Sequence, residues 1–391
     1  MNRRHLVKGC MAAGSMLAAG GVKPAGAGLI ERLLGGESGR GKEVHEGGAP
    51  ARVWKWSTEA RHYERTGTAV RCTLCPNGCV LPPGSRSRCR VRVNKGGKLL
   101  SLVYGNPASV HVDPVEKKPL YHFHPGTGVL SMGYAGCNLH CLNCQNWQIS
   151  QRKPEELRTY SLFPDEAVDA ALEARSPSVA FTYNEPTVEY EFMVDTARAA
   201  HEKGLKNVWV TNGYINERPL RELCPFLDAV NVDLKSFSDT TYRTLNAGTL
   251  EPVLRTLRVL KEQGVWIEVT TLIVPTYTDD PSMIRRLCRW LYETLGPDYP
   301  LHFSRFHPQY KLDHLPPTPP SVLLRARAIA MEEGLRYVYI GNYRSAEGGT
   351  TFCPHCQEAV IERAGYVIRR MDVQDGRCGA CGREIAGRWD T

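Results

Sequence analysis

Three cysteines within eight residues, Cys137, Cys141 and Cys144, carry the clearest chemistry in this sequence. They sit in "SMGYAGCNLHCLNCQNWQIS" (residues 131–150) with the spacing C-x3-C-x2-C. An iron–sulfur cube ordinarily takes four protein thiolates. Three thiolates leave one iron open to a ligand from outside the chain. A structural metal loop is the competing reading. Asn143 precedes the last cysteine, and Trp147, three residues after it, is expected to cover such a cluster.

Two further clusters flank this loop. Cys72, Cys75, Cys79 and Cys89 are spaced C-x2-C-x3-C-x9-C, and Cys353, Cys356, Cys378 and Cys381 form two C-x2-C pairs 21 residues apart. Paired C-x2-C spacing in a long chain points to metal more than to disulfides. The tail set, with an alternating spacer, reads as a zinc ribbon holding tetrahedral zinc, with rubredoxin-like iron as its rival. The front set fits zinc or an auxiliary 4Fe–4S cluster, and disulfides if the protein is exported. Cys10, Cys224 and Cys288 are scattered and read as small buried apolar residues. His122 and His124 form an HxH pair with no third ligand nearby, which argues against a metal there.

What must position these residues is a long alternation of strands and helices. Apolar, β-rich runs fall at 129–132, 179–183, 208–211, 229–234, 266–274, 301–306 and 337–340. Helix-period segments lie between most of them, at 165–174, 188–203, 217–223, 251–263, 282–295 and 322–333. Asp165 and Thr249 are expected as caps or first-turn residues, and Gly204, Gly264 and Gly334 as C-terminal stops. Repeated β–α units with buried strands imply an α/β fold with a parallel sheet. Six or seven units fit a partial or full (β/α) barrel, whose chemistry sits on loops leaving the C-terminal strand ends. The three-cysteine loop follows the first strand. Opposite charges at Asp233 and Lys235, two apart on a strand, share one face and can line a pocket. Glu185, in "YNEP", is either a carboxylate for an ammonium ligand or a helix N-terminal cap.

The stretch "LVYGNPASVHVDPVEKKPLYHFHPGTGVLSMGYAGCNLHCLNCQNWQISQ" resembles the radical S-adenosylmethionine (SAM) enzymes of the AmmeMemoRadiSam system, relatives of the pyruvate formate-lyase activating enzyme. "FTYNEPTVEYEF", "VTNGYI", "VNVDLKSF", "EVTTLIVPTYTDD" and "HFSRFHPQYKL" match in order. The resemblance covers residue 66 to the end. It implies a radical SAM barrel in which SAM binds the open iron and is cleaved reductively to a 5′-deoxyadenosyl radical. It implies SAM contacts from Asn184 and Glu185, from Asp233 and Lys235, and from His307, while Thr211 and Asn212, ending the third strand, would line the same cofactor-binding mouth. It also implies a one-electron donor and association with Memo-like and AMMECR1-like proteins. A glycyl-radical enzyme activase is the alternative within the class. An electron-transfer or sensor protein that uses its clusters without SAM turnover is the alternative outside it.

The organisation expected is a signal peptide over 1–27, a flexible linker over 28–65, a cysteine-rich module over 66–120, the barrel over 121–345 and the zinc ribbon over 346–391. Arg3-Arg4, an Ala/Gly-rich run and Ala25-Gly26-Ala27 look like a twin-arginine export signal, which suggests a periplasmic protein. SAM is made in the cytoplasm, so a cytoplasmic protein started at Met11 is the alternative. The chain of 391 residues has a net charge of +8, or +4 once the four basic residues of the first 27 are set aside. The remaining charges are interspersed, which argues against a nucleic-acid partner. No apolar run is long enough for a transmembrane span.

Overall fold

The computed structural model describes residues 49–343 and 346–389. The expected export signal, Cys10 and most of the expected linker lie outside the described residues.

Eight strands form one sheet in strict chain order. They are β1 (Ser109–Pro114), β2 (Gly128–Gly133), β3 (Ser178–Phe181), β4 (Lys206–Thr211), β5 (Ala229–Asp233), β6 (Trp266–Ile273), β7 (Leu301–Arg305) and β8 (Val338–Gly341). β1 pairs antiparallel with β2, and β2 to β8 run parallel. β1 and β8 are the two edges, so the sheet curls into an open barrel rather than a closed ring.

Helices α1 (Pro164–Glu173), α2 (Tyr190–Glu202), α3 (Glu217–Leu223), α4 (Glu251–Glu262), α5 (Pro281–Thr294) and α6 (Pro320–Glu332) fill the crossovers. Gly204, Gly264 and Gly334 follow α2, α4 and α6 with φ of +77°, +74° and +97°, the left-handed stop that a Cβ would penalise. Asp280 caps α5 by accepting from the Ser282 and Met283 N–H groups, with Pro281 in the first turn. A cap of this kind stabilises a helix by about 1 kcal/mol. Asp165 lies in the first turn of α1. Thr249 is no cap; its hydroxyl faces that of Tyr214 at 3.1 Å.

Two boundaries differ from the sequence expectation. Regular structure already runs through part of the expected linker, with a 3-10 turn at Ala51–Trp56 and strands at Thr58–Glu59 and Tyr63–Thr66. Those strands pair with the cysteine-rich module, so they fold as part of it. The barrel sheet also begins before residue 121, because β1 supplies its antiparallel edge. A single outward-facing edge strand gives no parallel-sheet signature, so the apolar pattern of the barrel did not reveal it.

The tail packs as a hairpin of β9 (Ala359–Ala364) and β10 (Val367–Met371) beside the two C-x2-C turns. His122 and His124 dock this tail and hold no metal cluster among the described residues. His122 Nδ1 lies 2.6 Å from Ala386 O and its Nε2 2.5 Å from Tyr339 Oη, while the His124 N–H donates to Arg388 O. Burial pushes the His122 imidazole down to about 4, so it docks as a neutral ring.

Candidate active site

Parallel register brings the C-terminal ends of β2 to β7 to one rim, and the three-cysteine loop leaves β2 at that rim. The loop is held from two sides. A π-turn at Tyr242–Asn246 accepts the His140 and Leu142 N–H groups on the Asn246 and Leu245 carbonyls, and Asn246 Nδ2 donates to Cys141 Sγ at 3.1 Å. From the other side, Asn212 Nδ2 reaches Asn138 Oδ1 at 2.9 Å and Cys137 Sγ at 3.8 Å. Amide donors aimed at sulfur suit thiolates, since they stabilise the charged form.

Cys137, Cys141 and Cys144 line one cavity of about 420 Å³. Burial raises all three thiols, Cys144 to about 11. A buried thiol must shed its proton on binding iron, so a metal offsets what burial disfavours. Three sulfurs on one wall of a cavity and polar groups on the others fit a cluster with one ligand position facing the cavity.

The strand ends supply those polar groups. Glu185 is fully buried; its Oε1 accepts from the Thr187 N–H, Thr187 Oγ1 and Thr211 Oγ1, and its Oε2 from the Asn212 N–H. It is therefore the cap of the 3-10 turn Pro186–Glu189 and also a cavity residue. The cap reading made from the sequence holds, and Glu185 Oε2 keeps capacity for another donor. Asn184 also lines the cavity, but its amide is taken up by the Tyr134 N–H and by Glu189 Oε2 at 2.9 Å each. It braces the loop instead of offering itself to a ligand. Thr211 and Asn212 border the cavity as expected. So do Asp233 and Lys235, paired at 3.0 Å. Burial works against the Lys235 charge, yet Asp233 and Cys141 outweigh it and hold the ammonium above its usual range.

Two expected site residues fall elsewhere. His307 is exposed, its Nε2 3.3 Å from Asn342 O, and it borders a shallow neighbouring recess with Gln309. That recess shares Asn143, Gln145, Leu272 and Asn342 with the cavity, so His307 stands beside it and not in it. Trp147 stacks on Tyr310 with ring centroids 5.4 Å apart and does not border the cavity.

The structure also brings in residues that spacing did not flag. Lys117 and Lys118 follow β1, Tyr183 follows β3, and Tyr366 stands at the turn between β9 and β10; all line the cavity. Asp113 accepts from Lys117 Nζ at 2.9 Å, from Lys118 Nζ at 2.6 Å and from the Tyr183 hydroxyl. Burial raises the Asp113 carboxyl, but these three donors prevail and hold it at about 2. Burial brings Lys118 down to about 8 against the pull of Asp113. The "EKK" run was the only sequence signal for this wall.

The tail cysteines form a second kind of site. Their four sulfurs all lie within 4.8 Å of one another, with Cys353 to Cys381 and Cys356 to Cys378 at 3.7 Å. A tetrahedral ion with metal–sulfur bonds of about 2.3 Å has edges of about 3.8 Å, so these thiols are set for one ion.

An open β/α barrel thus places three thiols and a polar cavity at its C-terminal mouth. The sequence signature of the Radical SAM superfamily matches residues 132–291. The chain is 46% identical over 332 residues to the uncharacterized protein MJ0808 of Methanocaldococcus jannaschii, covering 84% of this chain and 98% of that protein. It is 23% identical over 229 residues to the pyruvate formate-lyase 1-activating enzyme of Escherichia coli, covering 53% of this chain and 89% of that one. A radical SAM methyltransferase from Sphaerobacter thermophilus superposes with a TM-score of 0.47 at 15% identity, over 75% of this chain and 79% of that one. The chain carries a Radical SAM domain over residues 132–291 and is an enzyme of the radical SAM class, distantly similar to the pyruvate formate-lyase activating enzymes.

Proposed function

We propose that Cys137, Cys141 and Cys144 hold a 4Fe–4S cluster whose fourth iron takes SAM, and that the enzyme cleaves SAM reductively. When bound, cluster and SAM supply a one-electron break of the sulfonium C–S bond and a 5′-deoxyadenosyl radical that takes hydrogen from a substrate. The observation that carries this reading is the convergence of two buried thiols and one half-buried thiol, with no fourth cysteine among the described residues, on a cavity of about 420 Å³ edged by Glu185, Asn212, Asp233 and Lys235. Asn212 and Asn246 orient the sulfurs. Glu185 Oε2 and Asp233 offer acceptors to an ammonium, and Lys235 offers a donor to a carboxylate. Val210, Leu245, Leu272 and Val274 line the apolar parts of the cavity and exclude water from a reactive radical.

The test is paramagnetic resonance of the dithionite-reduced protein with and without SAM. A SAM-dependent change of the cluster signal supports the reading. An unchanged signal from an intact cluster favours an electron-transfer or sensor role.

We read the tail site as zinc, supported by the tetrahedral spacing of its sulfurs, and the partners as Memo-like and AMMECR1-like proteins, supported by the ordered motif matches of the AmmeMemoRadiSam type. A second reading, activation of a glycyl-radical enzyme, is favoured by the likeness to the activating enzyme of Escherichia coli. It requires a partner protein carrying a glycyl-radical loop.

A further inference from the structure

We propose that Cys72, Cys75, Cys79 and Cys89 hold a second four-iron cluster, with one thiolate on every iron, directly behind the three-thiol loop. The four cysteines converge on one enclosed cavity of about 20 Å³, room for a water-sized sphere. A single tetrahedral ion leaves no such room, because its sulfurs stand at bonding distance from one centre.

The molecule carries its own comparison. Among the described residues, the tail cysteines are the only metal-ligand group whose atoms all lie within 4.8 Å of one another. The front cysteines do not close up in this way, and neither do Cys137, Cys141 and Cys144. In a cube each thiolate binds a different iron, so the sulfurs stand apart by the width of the cage. The front set, like the three-thiol loop, is therefore set wider than the single-ion site. Sequence spacing alone left zinc and iron–sulfur level.

The surroundings point to an anion. Arg92 lines this cavity and is 1% exposed. Its two terminal nitrogens donate to Glu191 at 3.1 and 2.8 Å. Its Nε–H has no partner among the described residues. A buried donor left unpaired is costly, and a cube bearing four thiolates is a net anion that would satisfy it. The Ser87 hydroxyl, 3.0 Å from Cys89 Sγ, adds a second polar neighbour.

The place is as telling as the chemistry. A Cβ on Gly136, next to Cys137, would lie 2.5 Å from Cys89 O. Asn138 lines the front cavity, accepts from Asn77 Nδ2 at 2.7 Å on its backbone oxygen and accepts from Asn212 on its side chain. The two cysteine sets thus touch through the residues on either side of Cys137, which places a second redox centre beside the first.

The test is the metal content of the full chain purified without oxygen, with iron, sulfide and zinc measured together. The triple variant Cys137→Ala, Cys141→Ala, Cys144→Ala is expected to keep about four irons and four sulfides per chain. The double variant Cys75→Ala, Cys79→Ala is expected to keep a similar number, and the unaltered chain about twice as many. In the reduced unaltered chain the two signals should broaden each other by spin coupling, and the triple variant should lose that broadening. A folded triple variant with an extra zinc and no iron, with two irons, or with a disulfide in place of metal overturns the proposal. If the triple variant fails to fold, the double variant decides: an iron content equal to that of the unaltered chain overturns it. Because the triple variant lacks the SAM-site cysteines, this result is independent of SAM cleavage.

Discussion

Asn212 donates its Nδ2–H to Asn138 Oδ1 at 2.9 Å, spanning from the end of β4 to the residue beside Cys137. The same nitrogen lies 3.8 Å from Cys137 Sγ, and the Asn212 backbone N–H donates to Glu185 at 2.7 Å. One residue thus joins the ends of β3 and β4 to the cluster loop. Replacing Asn212 with Leu removes the amide donor and leaves Asn138 Oδ1 without its partner, while Asn138 Nδ2 still donates to Tyr214 O. Outer partners of metal ligands typically contribute about 10–100-fold in affinity. Asn212→Leu is expected to lose iron to a chelator faster by a factor in that range, read from the loss of cluster absorbance.

Lys235 and Asp233 balance each other beside the cysteine loop. Lys235→Met leaves Asp233 without its cation and removes the donor assigned to the SAM carboxylate. Formation of 5′-deoxyadenosine is expected to fall by roughly tenfold or more, a change of about 1.4 kcal/mol or above. Iron content should be unchanged, which separates the binding role from a role in cluster assembly.

Asp113 gives a pH signature to the wall opposite the thiols. Its folded pKa, about 2, lies below the ordinary value of 3.8. A carboxyl depressed by folding contributes stability at pH above its unfolded value and loses it as pH falls toward the folded one. The melting temperature of the unaltered protein is expected to fall more steeply between about pH 4 and pH 2 than that of Asp113→Asn. Parallel curves would remove the Lys117–Lys118–Tyr183 cluster from this account.

Gly136 measures how tightly the front module meets the catalytic loop. Its φ is +91°, and an added Cβ would lie 2.5 Å from Cys89 O and 2.7 Å from Val91 Cγ1. Backbone strain and overpacking each cost about 1–3 kcal/mol. Gly136→Ala is expected to destabilise the fold by about 2 kcal/mol or more in denaturant titration. Gly204→Ala, with nothing within 4 Å of its Cβ, should cost only the strain.

The tail ion is predicted to be a single zinc. Cys356→Ala should abolish it, lower the melting temperature and loosen the hairpin that carries Tyr366 to the cavity. Tyr366→Ala should leave zinc and melting temperature unchanged, because that side chain is 45% exposed.

The strands and helices of the barrel were legible because buried parallel strands read as apolar runs and the helices end on glycines in positive φ. Gly204, Gly264 and Gly334 sit where those stops were expected. The three-thiol loop was legible because its ligands are close in sequence. Asn246, Lys118 and Tyr366 were not, since a π-turn, an edge strand and the tail hairpin bring them in from distant segments. His307, two residues beyond the end of β7, borders the adjoining recess and does not line the cavity itself. Four cysteines in a row of short spacings also hid the difference between front and tail sets, which lies in the separation of their sulfurs.

The central claim is reductive cleavage of SAM at Cys137, Cys141 and Cys144. The direct measurement is 5′-deoxyadenosine formed by the iron- and sulfide-reconstituted protein with SAM and dithionite, without oxygen. The account predicts deoxyadenosine from the unaltered chain and none from Cys141→Ala. Equal amounts from both, or none from an unaltered chain with its clusters intact, would contradict it.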